Sequence, residues 1–145
     1  MTPMDPNQTR IEAYHRSLLI VWAFLFLSVL SFLLMAVLIP ANAAADNRVL
    51  AIVLIGMGFS SLVISFVIKR TFLAKSVAMQ DLKLVQQAYI VALALCESAA
   101  LFGLLIHFAT GSVYYYAGFA LAIVGMLLHF PKKQHLLQAT FFKKL

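Results

Sequence analysis

Charge is what this sequence has least of. Charged residues fill 11% of its 145 positions, and between Lys83 and Lys132 the only Asp, Glu, Lys or Arg is Glu97. The single cysteine, Cys96, excludes an internal disulfide and any multi-cysteine metal site. Alternating strand-like patterning is missing, which argues against a β-barrel. A phosphate-binding glycine loop is missing too: Gly111 reads as a turn residue, and Gly56 and Gly58 fall inside an apolar run. The only acid within the apolar runs, Glu97, falls at a different depth from every histidine, so no Ser–His–acid triad is expected. These gaps weigh against an enzyme, and neither a cofactor nor a metal is expected.

What the chain does have is apolar length. It is 63% hydrophobic, with a mean hydropathy of +0.96. A water-soluble domain of this size could not cover so much apolar surface, so a bilayer is the expected solvent. Four stretches carry the excess, at about 17–39, 49–68, 88–108 and 113–130. Each approaches the roughly 17–25 residues that a helix needs to cross about 30 Å of hydrocarbon. The expectation is an all-α, polytopic membrane protein: one four-transmembrane-helix bundle, followed by a basic interfacial tail at 131–145. The first stretch ends near Ala41-Asn42-Ala43, which resembles a signal-peptide cleavage site. Its apolar core exceeds the roughly 7–15 residues usual there, so it reads as a membrane anchor.

Basic residues set the expected orientation. Arg10, Arg16, Lys69, Arg70, Lys75, Lys83, Lys132, Lys133, Lys143 and Lys144 fall on the side of both termini, and only Arg48 falls opposite. That bias predicts cytoplasmic termini in the plasma (inner) membrane. The net charge of +6 then reflects topology and attraction to anionic headgroups, and no nucleic-acid partner is implied.

Along the chain, Pro40 ends the first helix and Lys69-Arg70 ends the second apolar run. Segment 71–87 lacks Gly and Pro, and reads as helical extensions around a short turn or as an interfacial helix. Thr110-Gly111-Ser112 predicts a tight hairpin between the third and fourth helices. Tyr114, Tyr115 and Tyr116 then form an aromatic belt, with Tyr14, Trp22 and Tyr89 near the other interface. In the tail, Lys132, Lys133, Lys143 and Lys144 alternate with Leu136, Leu137, Phe141 and Phe142. This composition suits either contact with lipid headgroups or a short solvated tail.

Glu97 is the candidate ion- or proton-binding residue. At mid-membrane a charged side chain costs roughly 2.5 kcal/mol or more, so a carboxyl there is protonated, paired or facing water. It borders a stripe of small residues, Ala88, Ala92, Cys96, Ala99 and Gly103, whose spacing of three or four lets another helix approach closely. The second helix offers a partner surface in Gly56, Gly58, Ser60, Ser61 and Ser65. Two readings stay open: a carboxyl that carries a proton or cation, or one that acts as hydrogen-bonded packing glue. No Lys or Arg of the chain lies at its depth, so an ion-pair partner would come from another subunit. Small-residue faces on a small chain also suit a homo-oligomer or a subunit of a larger membrane complex. His107 and His129 fall at opposite depths. His15, His129 and His135 could meet at the inner face, where interfacial anchoring is their expected role.

The run Ala92-Leu93-Ala94-Leu95-Cys96-Glu97-Ser98-Ala99-Ala100-Leu101-Phe102-Gly103-Leu104 resembles the carboxylate helix of the rotary ATP synthase proteolipid, the c subunit. In that family a pattern A-L-x-E-small-x-small-I-(Tyr/Phe)-G-L surrounds the ion-carrying Glu. Ile55-Gly56-Met57-Gly58 is similar to the family's glycine-rich first helix, and a basic loop joins the two helices in both. The resemblance implies that Glu97 binds the ion, with Gly56 and Gly58 on the packing face. It spans roughly 49–108. The longer inner loop lacks the family's Arg-Gln-Pro turn, only one Gly-x-Gly is present, and two further helices flank the pair. The whole layout also resembles small bacterial four-helix membrane proteins with an acid in an Ala/Leu-rich third helix, here Ala94-Leu95-Cys96-Glu97, and a tail opening on Pro131-Lys132-Lys133. This second resemblance implies a fold and no activity.

Overall fold

The structure is a computed structural model that describes residues 6–41 and 47–141. The tail residues Phe142, Lys143 and Lys144, and the loop around Ala43, lie outside the described residues. The chain forms five α-helices: α1 Pro6–Leu38, α2 Arg48–Met79, α3 Leu82–Thr110, α4 Tyr115–Leu128 and α5 Lys133–Phe141. Three helices are long and apolar enough to cross a membrane, over Gln8–Leu38, Arg48–Met79 and Leu82–Thr110. Helix α4 is apolar but has 14 residues, about 21 Å at 1.5 Å per residue. That is shorter than a hydrocarbon core of about 30 Å.

Local chemistry explains the helix ends. Asn47 caps α2 by accepting the Leu50 N–H at 3.1 Å. Segment 71–87 takes the first form expected for it, in which α2 runs on to Met79 and α3 starts at Leu82. The turn between them is built without glycine. Gln80 adopts a left-handed φ of 53° and bonds its Nε2 to the Val77 carbonyl. Asp81 then caps α3 by accepting the Lys83 N–H at 2.9 Å. At the other end, Gly111 has φ 61° and donates its N–H to the His107 carbonyl. This left-handed cap is the conformation for which glycine is favoured.

Helix α3 is the centre of the bundle. It touches all four other helices, and its pairing with α2 is the most extensive, followed by α4 and α1. The reason is in its sequence: Ala88, Ala92, Cys96 and Ala99 are fully buried, and Gly103 is buried with them. Small side chains bring neighbouring backbones close enough for dense dispersion contact. Outer faces of α1 and α2 are the opposite, with Phe24, Leu38, Val49, Ile52 and Val67 all more than half exposed.

Two expectations change here. Helix α5 does not lie apart on a surface: Leu136 and Ala139 are fully buried against Ile11, Leu18, Leu82, Val85 and Tyr89. Burying these apolar side chains under the bundle removes surface that a solvated tail would leave exposed. Tyr115 does not face outward with Tyr114 and Tyr116, because α4 begins at Tyr115 and turns it inward against His107 and Phe119. Trp22 is half-buried; its indole N–H donates to the Met126 carbonyl at 2.9 Å, tying α1 to α4.

Candidate functional site

Glu97 faces α1. Its Oε1 accepts a hydrogen bond from Ser28 Oγ at 2.7 Å. The two residues match in depth, since each lies near the middle of its apolar run. Around Glu97 the helix surface divides sharply: Leu93 and Ala100 are fully buried, while Ala94 and Leu101 are exposed. The carboxyl is therefore half-buried at a border, with one hydrogen-bond partner among the described residues. The partner surface expected on the second helix does not serve it. Ser65 turns elsewhere, Ser60 bonds back to the Gly56 carbonyl, and Ser61 is half-buried without reaching the acid.

The small-residue positions divide in the same way. Gly58 packs on Ala99, where an added Cβ would sit 3.5 Å from the Ala99 backbone. Gly56 is exposed, and an added Cβ there meets nothing within 4 Å, so it lies off the packing face of the chain. The tightest approach is between α3 and α4, where a Cβ on Gly118 would stand 2.6 Å from the Gly103 Cα. A Cβ on Gly125 would meet Cys96 Sγ at 2.8 Å and Leu62 at 2.6 Å. Sequence reasoning missed this half of the seam. The signal was available, because Gly118, Ala122 and Gly125 repeat on α4 the three-and-four spacing of small residues seen on α3.

Behind the seam lies a second polar contact. His129 is fully buried; its Nδ1–H donates to the Gly125 carbonyl at 2.9 Å, and its Nε2 lies 3.3 Å from Ser65 Oγ. Ser65 is equally buried, donates to the Leu62 carbonyl at 2.6 Å, and has Cys96 Sγ at 3.8 Å. These are the atoms of a Ser–His pair. Both protons, however, are donated to carbonyls of their own segments, at Leu62 and Gly125, and both residues are fully buried, so no surface opens onto Oγ. The contact therefore reads as a satisfied packing network. His107 bonds Ile39 O at 2.8 Å through Nε2, joining the C-terminal ends of α3 and α1.

A third polar group closes the end of the bundle where α5 docks. The Lys132 N–H donates to Tyr89 Oη at 3.1 Å, and Oη stands 2.6 Å from His135 Nδ1. In the tautomer in which Oη accepts from Lys132 and donates its own proton to Nδ1, the His135 ring proton sits on Nε2. The Lys69 ammonium sits 4.2 Å above the Tyr89 ring, within cation–π range. Burial, and then the positive charges of Lys69 and Lys132, hold His135 below its ordinary value of 6.5. His15 is half-buried and does not join this group through any hydrogen bond described here. Of the expected headgroup lysines, Lys132 and Lys133 are exposed, and Lys133 pairs with Glu12 at 3.4 Å across two half-exposed side chains.

Among the described residues no three His, Cys, Asp or Glu side chains converge as a metal site would require. Comparison with protein-family models, with curated proteins and with solved structures finds no match.

Proposed function

We propose that the chain is a small integral membrane subunit that works through helix–helix and lipid contacts rather than catalysis. On this reading it crosses the plasma (inner) membrane four times with both termini cytoplasmic, as a homo-oligomer or within a larger membrane complex. The observation that carries the reading is the outer surface of α1 and α2, covered by large apolar side chains over lengths that suit a bilayer. Helix α4 would complete the fourth crossing together with its apolar flanks Val113 and Phe130, both exposed. The basic residues at the α5 end support cytoplasmic termini. Glu97 then acts as an interhelical clasp, holding α1 against α3 through Ser28.

A second reading has its own support. Glu97 is half-buried with one partner, so the carboxyl keeps capacity to bind a proton or cation from a partner surface, as the proteolipid resemblance implies. Two measurements separate the readings. Glu97→Gln keeps shape and hydrogen bonding but cannot titrate. Unchanged assembly and unchanged proton flux in liposomes support the clasp, whereas abolished flux with intact assembly supports ion transfer. Resistance to alkaline extraction, with residues 10 and 132 accessible from the cytoplasmic side alone, tests the topology.

A further inference from the structure

The end of the bundle where α5 docks gathers two lysines and a histidine that no described carboxylate pairs with. Around Tyr89 stand the Lys69 ammonium, 4.2 Å from the ring centroid, the His135 ring and the backbone N–H of Lys132. The last two are bonded to Oη, and the Lys132 charge is close enough to act on His135. The described carboxylates are engaged elsewhere: Glu12 with Lys133, Asp81 as the cap of α3, and Glu97 with Ser28. The depth is also defined. Lys69 follows directly on the apolar run 49–68, Tyr89 opens the run 88–108, and Lys132 and His135 follow the run 113–130. All four thus converge at one level, the edge of the apolar zone, where lipid phosphates lie.

We propose that Lys69, Lys132 and His135, arranged around Tyr89, form a binding site for the phosphate of an anionic lipid headgroup. Each group has a distinct part. The half-buried Lys69 supplies a positive charge held in position by the Tyr89 ring. Lys132 supplies a second charge from the exposed rim. The His135 Nε2–H is a directional donor, because the Tyr89 hydroxyl occupies Nδ1 and so fixes the ring. An anion here would offset the mutual repulsion of the Lys69 and Lys132 ammonium groups, which a phosphatidylcholine headgroup with no net charge does poorly. The mutual effect of these charges on His135 is consistent with their closeness.

This site rests on the reading of the chain as membrane-embedded, and its test separates the two. The full chain is reconstituted in phosphatidylcholine nanodiscs, and phosphatidylglycerol is introduced in steps while the His135 ring resonance is followed. A saturable shift is expected in the wild type. Lys69→Gln and Lys132→Gln should each weaken it roughly fivefold to tenfold, the effect of one basic charge at a headgroup. Lys69→Arg should retain it, and Lys75→Gln, at an exposed lysine on α2, should change it by less than about twofold. A shift that never saturates, or equal losses in Lys75→Gln and Lys132→Gln, would overturn the site in favour of diffuse surface attraction. An identical shift produced by inorganic phosphate in pure phosphatidylcholine discs would overturn the lipid assignment. If Lys69→Gln does not fold, Lys132→Gln decides, since that side chain is exposed. A wild-type chain that fails to enter the discs rejects the membrane reading itself, whereas an inserted chain with a flat response rejects only the site.

Discussion

The two faces of α3 solve opposite problems. One face, from Ala88 through Cys96 to Gly103, is buried and meets α2 and α4 at backbone distance. The Ser65–His129 contact that meets it at Cys96 has its protons taken up within the bundle. The other face carries Glu97, bordered by exposed Ala94 and Leu101, whose carboxyl meets α1 through the bond from Ser28. A saturated polar group inside a close-packed seam can only stabilise. A half-exposed acid with one partner can also exchange that partner, which is why Glu97 remains the functional candidate and His129 does not.

The comparison can be broken most forcefully at the seam. In Gly118→Val the new Cβ would stand 2.6 Å from the Gly103 backbone, so the helices must separate. A loss of about 3 kcal/mol or more is expected in reversible unfolding in detergent, the upper end of overpacking effects. Gly56→Ala, at an open position, should lie within about 0.5 kcal/mol of the wild type. Equal effects at the two glycines would refute the assignment of packing faces.

His129→Ala ranks next. It leaves a cavity and strips partners from Ser65 and Gly125, for about 2 kcal/mol in the same unfolding measurement. The Glu97 face should yield less. A double-mutant cycle of Ser28→Ala with Glu97→Ala is expected to give a coupling of about 0.6 kcal/mol, the average for such bonds between membrane helices. A coupling as large as the His129 effect would mean that Glu97 is structural, and would erase the contrast between the faces.

The smallest effect concerns the end of the bundle rather than either face. His135 binds its proton less readily in the fold than its ordinary value of 6.5 would allow. The unfolded chain therefore takes up more protons in the window just below 6.5, and stability falls as pH drops through it, being fully present above. Unfolding followed from about pH 8 to pH 5 should show this decline in the wild type and its reduction in His135→Gln. An unchanged slope in the variant would exclude His135 as its source.

Much of this was legible in the chain before folding. The small-residue stripe on α3 repeats every three or four residues, so its burial follows from helix geometry alone. The turn at Gly111 was equally readable, because glycine is favoured where φ is positive. The turn at Gln80 was not, since a left-handed Gln is held by its side-chain bond to Val77 and carries no distinctive residue. Ser28 was one of several serines in apolar runs, and only the approach of α1 to α3 singles it out. Gly56 and Gly58 looked equivalent in the sequence. They are two positions apart on a helix, about 200° around its axis, so packing one leaves the other outside.

The sequence by itself determined the helical class and three helices long and apolar enough to cross a membrane: long apolar runs without charge favour lipid, where backbone polar groups must be satisfied within each segment. It also determined that Glu97 would need a reason to be where it is. The tertiary structure decided the rest: which helix answers Glu97, which glycines touch, and that α5 folds back beneath the bundle to bring Lys69, Tyr89, Lys132 and His135 together. The physical reason is that periodicity defines one helix's faces but not their neighbours. The choice of neighbour depends on contacts between segments far apart in the chain, which no local pattern encodes.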